Sequence, residues 1–182
     1  MSVAQDRAPQ PRHTKRLPYS AIFDAPDQDR VHAELATFFG PHADVYLAVY
    51  EKMRAAEPAK RMVVRAWSWP VFLGSFTWFF YRKMYAYGAI VILLPLAVAY
   101  LFGSAGGGVW LILAIWAKAW YVNAALARIT KADQLGLAGA ERSDYLRRAG
   151  GVSMVAGIFA GAVFVLFLVL AVANSAGYLP GV

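Results

Sequence analysis

Two long uncharged stretches constrain the fold of this chain more than any other feature. No charged residue occurs in 85–117 or in 152–173. About twenty helical residues cross a hydrocarbon core about 30 Å thick, so 152–173 are long enough for one crossing. The first stretch is too long for one helix and contains the flexible run Gly-Ser-Ala-Gly-Gly-Gly at 103–108. The pattern therefore predicts two transmembrane helices, 86–102 and 109–126, followed by a third at 152–173.

The composition agrees with a membrane protein and narrows the function classes. Hydrophobic residues make up 59% of the 182 residues and charged residues only 16%, whereas a soluble domain has about 25% charged residues. The chain has no cysteine, which excludes disulfide bonds and thiolate metal sites. Its net charge is +7. Lys and Arg are retained on the cytoplasmic side of membrane proteins, so this basic excess does not require a nucleic-acid partner.

An aromatic stretch at 67–81 precedes the predicted spans. Its fifteen residues would form a helix about 22 Å long, which is too short to cross a bilayer. We predict a re-entrant or interfacial helix, in which the small residues Gly74 and Thr77 mark a side that another helix can approach. Residues expected at the membrane interface and its anionic lipid headgroups are Trp67, Trp69, Trp78, Tyr81, Arg82 and Lys83, together with Arg147 and Arg148 further along.

The N-terminal third has the composition of a polar, cytoplasmic region. Residues 1–26 contain four prolines and no periodicity, which predicts a disordered tail. Residues 27–57 predict an amphipathic helical hairpin, with Gly40 ending the first helix and Pro41 starting the second. Its apolar faces need a membrane surface, the transmembrane bundle or a partner to cover them. Residues 58–182 are the predicted membrane domain.

The distribution of basic residues predicts the topology. Ten of the eighteen Lys and Arg residues precede the aromatic stretch, two follow it directly, and five lie in 128–148. If 67–81 does not cross, all seventeen of these lie on one side of the membrane. The positive-inside rule then places the N-terminus and the loop 128–150 in the cytoplasm and the C-terminus in the periplasm of a multi-pass inner-membrane protein.

The predicted span 109–126 contains two strongly polar residues, Lys118 and Asn123. Lys118 lies beside Trp116 and Trp120, so one interpretation is that its long side chain reaches the cytoplasmic interface. A second is a buried pairing with Asn123 or Thr77. A third is a role in transport, because ionisable residues within spans are often functional.

The last predicted span carries a small-residue pattern. Ser153, Gly157 and Gly161 recur every four residues, and the last two form a GxxxG motif. Such spacing lets two helices approach closely. The motif predicts either packing within the protein, or self-association or contact with a partner helix.

The middle of the chain resembles a known family of small bacterial inner-membrane proteins, the YigF-like family, which is classed as a domain of unknown function. The resemblance covers residues 38–130 and rests on Phe38 to Gly40, Tyr46, Tyr50, Glu51 to Met53, Trp67, Trp69, Phe72, Phe76, Trp78 and Tyr81 to Met84. This chain has Val45-Tyr46 where the family has Tyr-Tyr, and Leu73-Gly74-Ser75 where it has Phe-Gly-Pro. The resemblance implies an inner-membrane protein with a cytoplasmic helical piece and transfers no catalytic residue.

These observations predict an all-α integral membrane protein with a cytoplasmic hairpin, one re-entrant or interfacial aromatic helix and three transmembrane helices. No motif indicates a catalytic residue, a metal ligand or a cofactor. We expect a non-enzymatic accessory or scaffolding subunit that binds a membrane protein through its helices. The alternative is a small transporter or channel that uses Lys118.

Overall fold

The fold is all-helical over the described part of the chain, as predicted. The structure, a computed structural model, describes residues 19–102 and 107–176. Within them lie eight α-helices and two 3-10 helices. The α-helices are α1 Gln28–Phe39, α2 Ala43–Ala55, α3 Trp69–Gly74, α4 Thr77–Tyr81, α5 Tyr85–Phe102, α6 Gly107–Gln134, α7 Gly139–Ala149 and α8 Met154–Ser175; the 3-10 helices are Tyr19–Asp24 and Pro58–Val63.

The first two α-helices form the predicted amphipathic hairpin. The carboxylate of Asp27 caps α1 by accepting a hydrogen bond from the Arg30 N–H at 3.1 Å. Gly40 ends α1 with φ at 66°, a left-handed conformation that glycine adopts without steric strain. The buried faces of α1 and α2 pack mainly against each other, α6 and α7. The apolar faces of this hairpin are thus buried against other helices of the same chain.

The N-terminal 3-10 helix differs from the sequence prediction. Phe23 is buried and its ring stacks on that of Tyr50, with 5.4 Å between the ring centroids. Asp24 pairs with Arg61 at 2.9 Å, and this hydrogen-bonded pair lowers the pKa of Asp24. The prediction of a disordered tail over 1–26 is therefore wrong for 19–24, because apolar contacts and an ion pair hold this segment. Residues 1–18 of the predicted tail lie outside the described part of the chain.

The aromatic stretch forms two short helices instead of one. Helix α3 ends at Gly74, Ser75 takes a left-handed φ of 52°, and α4 begins two residues later. Phe76, at the bend, contacts Phe164 of α8, with 5.8 Å between the ring centroids. The Tyr81 carbonyl, at the end of α4, accepts a hydrogen bond from the Ser153 N–H at 2.8 Å. Phe164 lies about 15 Å along α8 from the first turn of that helix. The bend therefore contacts the middle of α8, whereas the end of α4 contacts the first turn of α8.

One helical segment of the described residues is long and apolar enough to cross a membrane. It is the apolar part of Gly139–Ser175, which corresponds to α8 and to the predicted span 152–173, and only 6% of its apolar window is buried. This exposed helix favours membrane association. Helix α5 matches the predicted span 86–102, whereas α6 extends beyond 109–126. The three predicted crossings are not established by these helix lengths.

The second half of α6 is the centre of the packing of the α1–α2 hairpin. Tyr121, Val122, Ala125 and Leu126 are fully buried. The ring of Tyr121 contacts aromatic side chains from α1, α2 and α4: Phe38, Phe39, Tyr46 and Trp78. This shared packing joins the hairpin to the aromatic stretch through α6.

An ion-pair network ties α1, α6 and α7 together. The guanidinium of Arg142 donates from Nε and Nη2 to the two carboxylate oxygens of Glu34 and from Nη1 to Asp133, each at 2.7 Å. Arg30 contacts the same two carboxylates at 2.9 and 3.3 Å. Burial disfavours the charged guanidinium, but the hydrogen bonds to Glu34 and Asp133 outweigh it and raise the pKa of Arg142. The network therefore pairs two arginines with two carboxylates.

Candidate functional site

A cleft of about 590 Å³ opens between the start of α2, the α3–α4 hairpin, α6 and the first turns of α8. Its polar lining includes Ser68, Thr77, Tyr81, Arg82 and Lys118. No aspartate or glutamate is among the described residues that line it. The cleft therefore carries two positive groups and no negative one.

Arg82 is the most unusual residue of this cleft because its charged side chain is only 7% exposed. Its guanidinium carbon lies 4.9 Å from the ring centre of Tyr46, 5.2 Å from that of Tyr121 and 5.7 Å from that of Tyr81. These distances are typical of cation–π contacts. One Nη donates to the Phe39 carbonyl at 3.4 Å, whereas Nε has no hydrogen-bond partner among the described residues.

The local sequence explains how Arg82 reaches this position. Arg82 directly follows α4, and Lys83 turns the chain with a left-handed φ of 58°. Tyr46 comes from α2 and Tyr121 from α6, so three separate segments enclose one guanidinium. Burial raises the pKa of Tyr46, although the nearby Arg82 acts in the opposite direction. Tyr46 therefore stays neutral near pH 7 and does not supply the anion that would balance Arg82.

Two further polar groups in the cleft lack partners. The hydroxyl of Ser68 is buried and makes no hydrogen bond within the described residues, although its backbone N–H donates to the Ala114 carbonyl at 2.9 Å. Lys118 is partly exposed and makes no hydrogen bond or ion pair to any residue in the described ranges. Both residues line the same cleft as Arg82.

A second cleft, of about 770 Å³, provides a comparison within the same chain. It lies beside α1, α6 and α7 and is lined by both arginines of the ion-pair network. There Glu34 and Asp133 neutralise Arg30 and Arg142. The arginines of this second cleft are thus paired with carboxylates of the same chain, whereas no carboxylate among the described residues pairs with Arg82 or Lys118.

The residues predicted at the membrane interface fall into two groups. Trp67 and Trp69 are exposed and contact each other and Phe72, as expected for aromatic side chains beside headgroups. Trp78 instead lies in the core against Tyr121. Of the basic residues, Lys83 donates to the Arg148 carbonyl at 3.1 Å, Arg147 and Arg148 are exposed, and Arg82 is buried together with part of Tyr81.

The predicted helix-packing residues also separate. The hydroxyl of Ser153 caps α8 by accepting from the Ala156 N–H at 3.3 Å. A Cβ added to Gly157 would lie 3.0 Å from the ring of Tyr81, whereas one added to Gly161 would meet nothing within 4 Å. Gly157 therefore packs inside the chain and Gly161 does not. Gly74 and Thr77 contact each other across the α3–α4 bend, and Asn123 is nearly buried in α6.

No cluster of three or more metal-ligating side chains occurs in the described residues. His32 hydrogen-bonds to Glu51 at 2.6 Å. No family model matches the chain, and neither a search of characterised proteins nor one of solved structures finds a match. The resemblance to the YigF-like family stays a prediction, and the functional argument rests on the geometry above.

Proposed function

We propose that the protein is a non-enzymatic accessory or scaffolding subunit of the bacterial inner membrane, and that it binds a transmembrane helix of a partner protein along α8. The open face at Gly161 carries this proposal. Gly157, one turn earlier, already allows a close approach of Tyr81, and at Gly161 the motif continues to a position where an added Cβ would meet no described residue within 4 Å. Small residues at this spacing are the usual means by which membrane helices pack.

The length of the α3–α4 hairpin supports this assignment. The hairpin reaches α8 only as far as Phe164, and Ala160 is the one buried residue of α8. Beyond it, seven of the eight residues from Val165 to Val172 are large, apolar and exposed: Val165, Leu166, Phe167, Leu168, Val169, Leu170 and Val172. Most of α8 is therefore accessible to lipid or to another helix, while its first turns are held by α4.

Replacing Gly161 with isoleucine is expected to release the partner and leave the fold intact. The branched side chain would hold a partner backbone away from α8, whereas its Cβ would meet no described residue within 4 Å. The measurement is the size of the complex purified from membranes in mild detergent, with the melting temperature of the isolated protein. Ala162→Ile is the control, since it adds a similar side chain to an exposed position about 100° around the helix. Equal complex sizes for both variants and the unmodified protein would contradict the assignment.

For the topology, we propose that α5, α6 and α8 cross the membrane and that α3 and α4 form a re-entrant hairpin. The basic-residue distribution supports a cytoplasmic N-terminus and a periplasmic C-terminus. The bend at Ser75 also supports it, because a chain that turns back at Phe76 returns its two ends to the same face. Neither α3 nor α4, with six and five residues, could cross alone.

Cysteine labelling tests this topology, and the native chain offers no competing thiol. Lys60→Cys and Asp144→Cys replace side chains that are 71% and 54% exposed. Both should resist a membrane-impermeant thiol reagent in intact cells and react in inverted vesicles, while Ser104→Cys should react in intact cells. Labelling of the residue-144 variant from outside would mean that the aromatic stretch crosses.

A further inference from the structure

We propose that the cleft around Arg82 and Lys118 binds the phosphate headgroup of an anionic glycerophospholipid. This site is separate from the α8 face at Gly161, and the proposal does not depend on a partner helix there. It rests on the charge and hydrogen-bonding state of the cleft and on the apolar surface at its mouth.

The first argument is the buried charge of Arg82. A guanidinium has five N–H donors, and the described residues offer Arg82 only uncharged partners: a long hydrogen bond to the Phe39 carbonyl, the hydroxyls of Tyr46 and Tyr121, and cation–π contacts with three tyrosine rings. No described carboxylate lines the cleft. Nε is enclosed by the protein, so an anion in the cleft would contact the Nη groups. A buried charge left without a counter-ion is strongly unfavourable, so the site calls for an anion.

The second argument is that other donors converge on the same space. Lys118, Ser68 and Tyr81 also line the cleft, whereas the hydroxyl of Thr77, another lining residue, already donates to the Gly74 carbonyl. Phosphate oxygens accept several hydrogen bonds at once and form strong, charge-assisted bonds with Arg and Lys. Arg142, in the second cleft, does not require an added anion, because Glu34 and Asp133 already pair with it.

The third argument identifies a lipid as the source of the phosphate. Met154 and Ile158 of α8 line the cleft and are 61% and 69% exposed, and Pro70 of α3 lies opposite them. An acyl chain leaving a bound headgroup would therefore lie along the exposed apolar side of α8. A small soluble anion would use the cationic part of the cleft and leave this apolar surface uncovered.

The experiment compares lipid binding by the full chain and its variants in mild detergent. Dioleoylphosphatidylglycerol and dioleoylphosphatidylcholine are titrated separately, and bound lipid is counted by native mass spectrometry alongside the melting temperature. We expect the phosphatidylglycerol to bind and raise the melting temperature, and the phosphatidylcholine to do neither. Lys118→Gln should weaken phosphatidylglycerol binding about tenfold, the value of one charge-assisted hydrogen bond, and Lys118→Arg should restore it.

Lys131→Gln is the matched control because it removes an equal charge from an exposed position of the same helix as Lys118 and does not line the cleft. It should bind phosphatidylglycerol like the unmodified chain. Arg82→Gln should bind poorly if it folds; if it does not fold, the Lys118 variants decide the result. Equal binding of both lipids, or equal losses in Lys118→Gln and Lys131→Gln, would overturn the proposal. Sodium phosphate at matched ionic strength is the last arm, and stabilisation by it equal to that by the lipid would rule out a lipid headgroup site.

Discussion

Replacing Arg142 with methionine is expected to destabilise the protein by about 3 kcal/mol, because removal of one partner from a buried ion network leaves the other charges uncompensated. Arg142 makes three hydrogen bonds of 2.7 Å that join α7 to α1 and α6. Glu34 would remain largely buried with only Arg30 beside it. The melting temperature in detergent, followed by tryptophan fluorescence, should fall by roughly 6–12 °C.

Two variants separate the network from a general effect of charge. Arg147→Met removes the same charge from the same helix, but Arg147 is exposed and its one ion pair, to Asp144, is long at 3.6 Å. Its melting temperature should therefore stay within about 2 °C of the unmodified protein, since exposed pairs contribute little. Arg142→Lys should give an intermediate value, because an ammonium cannot engage both oxygens of Glu34 and also Asp133. Similar decreases in melting temperature for Arg142→Met and Arg147→Met would show that the ion-pair network does not stabilise the fold more than an exposed charge does.

Hydropathy and helix signals predict much of this fold because they depend on local chemistry. Gly40 ends the first helix as expected, since its φ of 66° suits glycine. The amphipathic pattern also locates α1 and α2, and the all-helical class follows from the composition and the long apolar runs. For α8, the sequence prediction of 152–173 differs from the observed helix by two residues at each end.

The break in the aromatic stretch is harder to predict. Gly74 is a weak stop signal, and the proline that the resembling family carries next to it is replaced here by Ser75. The structure nevertheless bends at Ser75, where tertiary contacts such as the packing of Phe76 on Phe164 hold a non-glycine residue in a left-handed conformation. Local sequence propensity alone therefore does not predict this bend.

The Arg82 cleft depends on contacts between segments that are far apart in sequence. Arg82 is 36 residues from Tyr46 and 39 from Tyr121, and no periodic pattern links them. A basic residue after an aromatic run predicts an interfacial anchor, whereas the structure buries Arg82 beneath three tyrosines. Only the packing of α2 and α6 against α4 distinguishes these outcomes. The partners of Arg142 cannot be predicted from the sequence for the same reason, because Glu34 lies 108 residues away.

Replacing Gly150 with alanine is expected to destabilise the protein by about 3 kcal/mol, at the upper end of the range for an added buried group. Gly150 lies between α7 and α8, where the chain passes directly over the end of α1. A Cβ at this position would overlap the backbone carbonyl of Phe38, and that backbone cannot move aside as a flexible side chain can. The same carbonyl accepts a hydrogen bond from the Gly151 N–H at 2.8 Å, so moving it would also break this bond.

The effect of Gly150→Ala comes from the close approach and not from backbone strain, because its φ of −97° is one that alanine adopts readily. Gly161→Ala provides the comparison, since its Cβ would meet nothing within 4 Å. In the isolated protein that variant should melt at the same temperature or slightly higher, because alanine is the better helix former. Gly150→Ala should lower the melting temperature by roughly 6–12 °C and also loosen the contact between α1 and α7, measurable as faster hydrogen exchange in both helices. A melting temperature unchanged in Gly150→Ala would mean that the chain does not pass this close to Phe38.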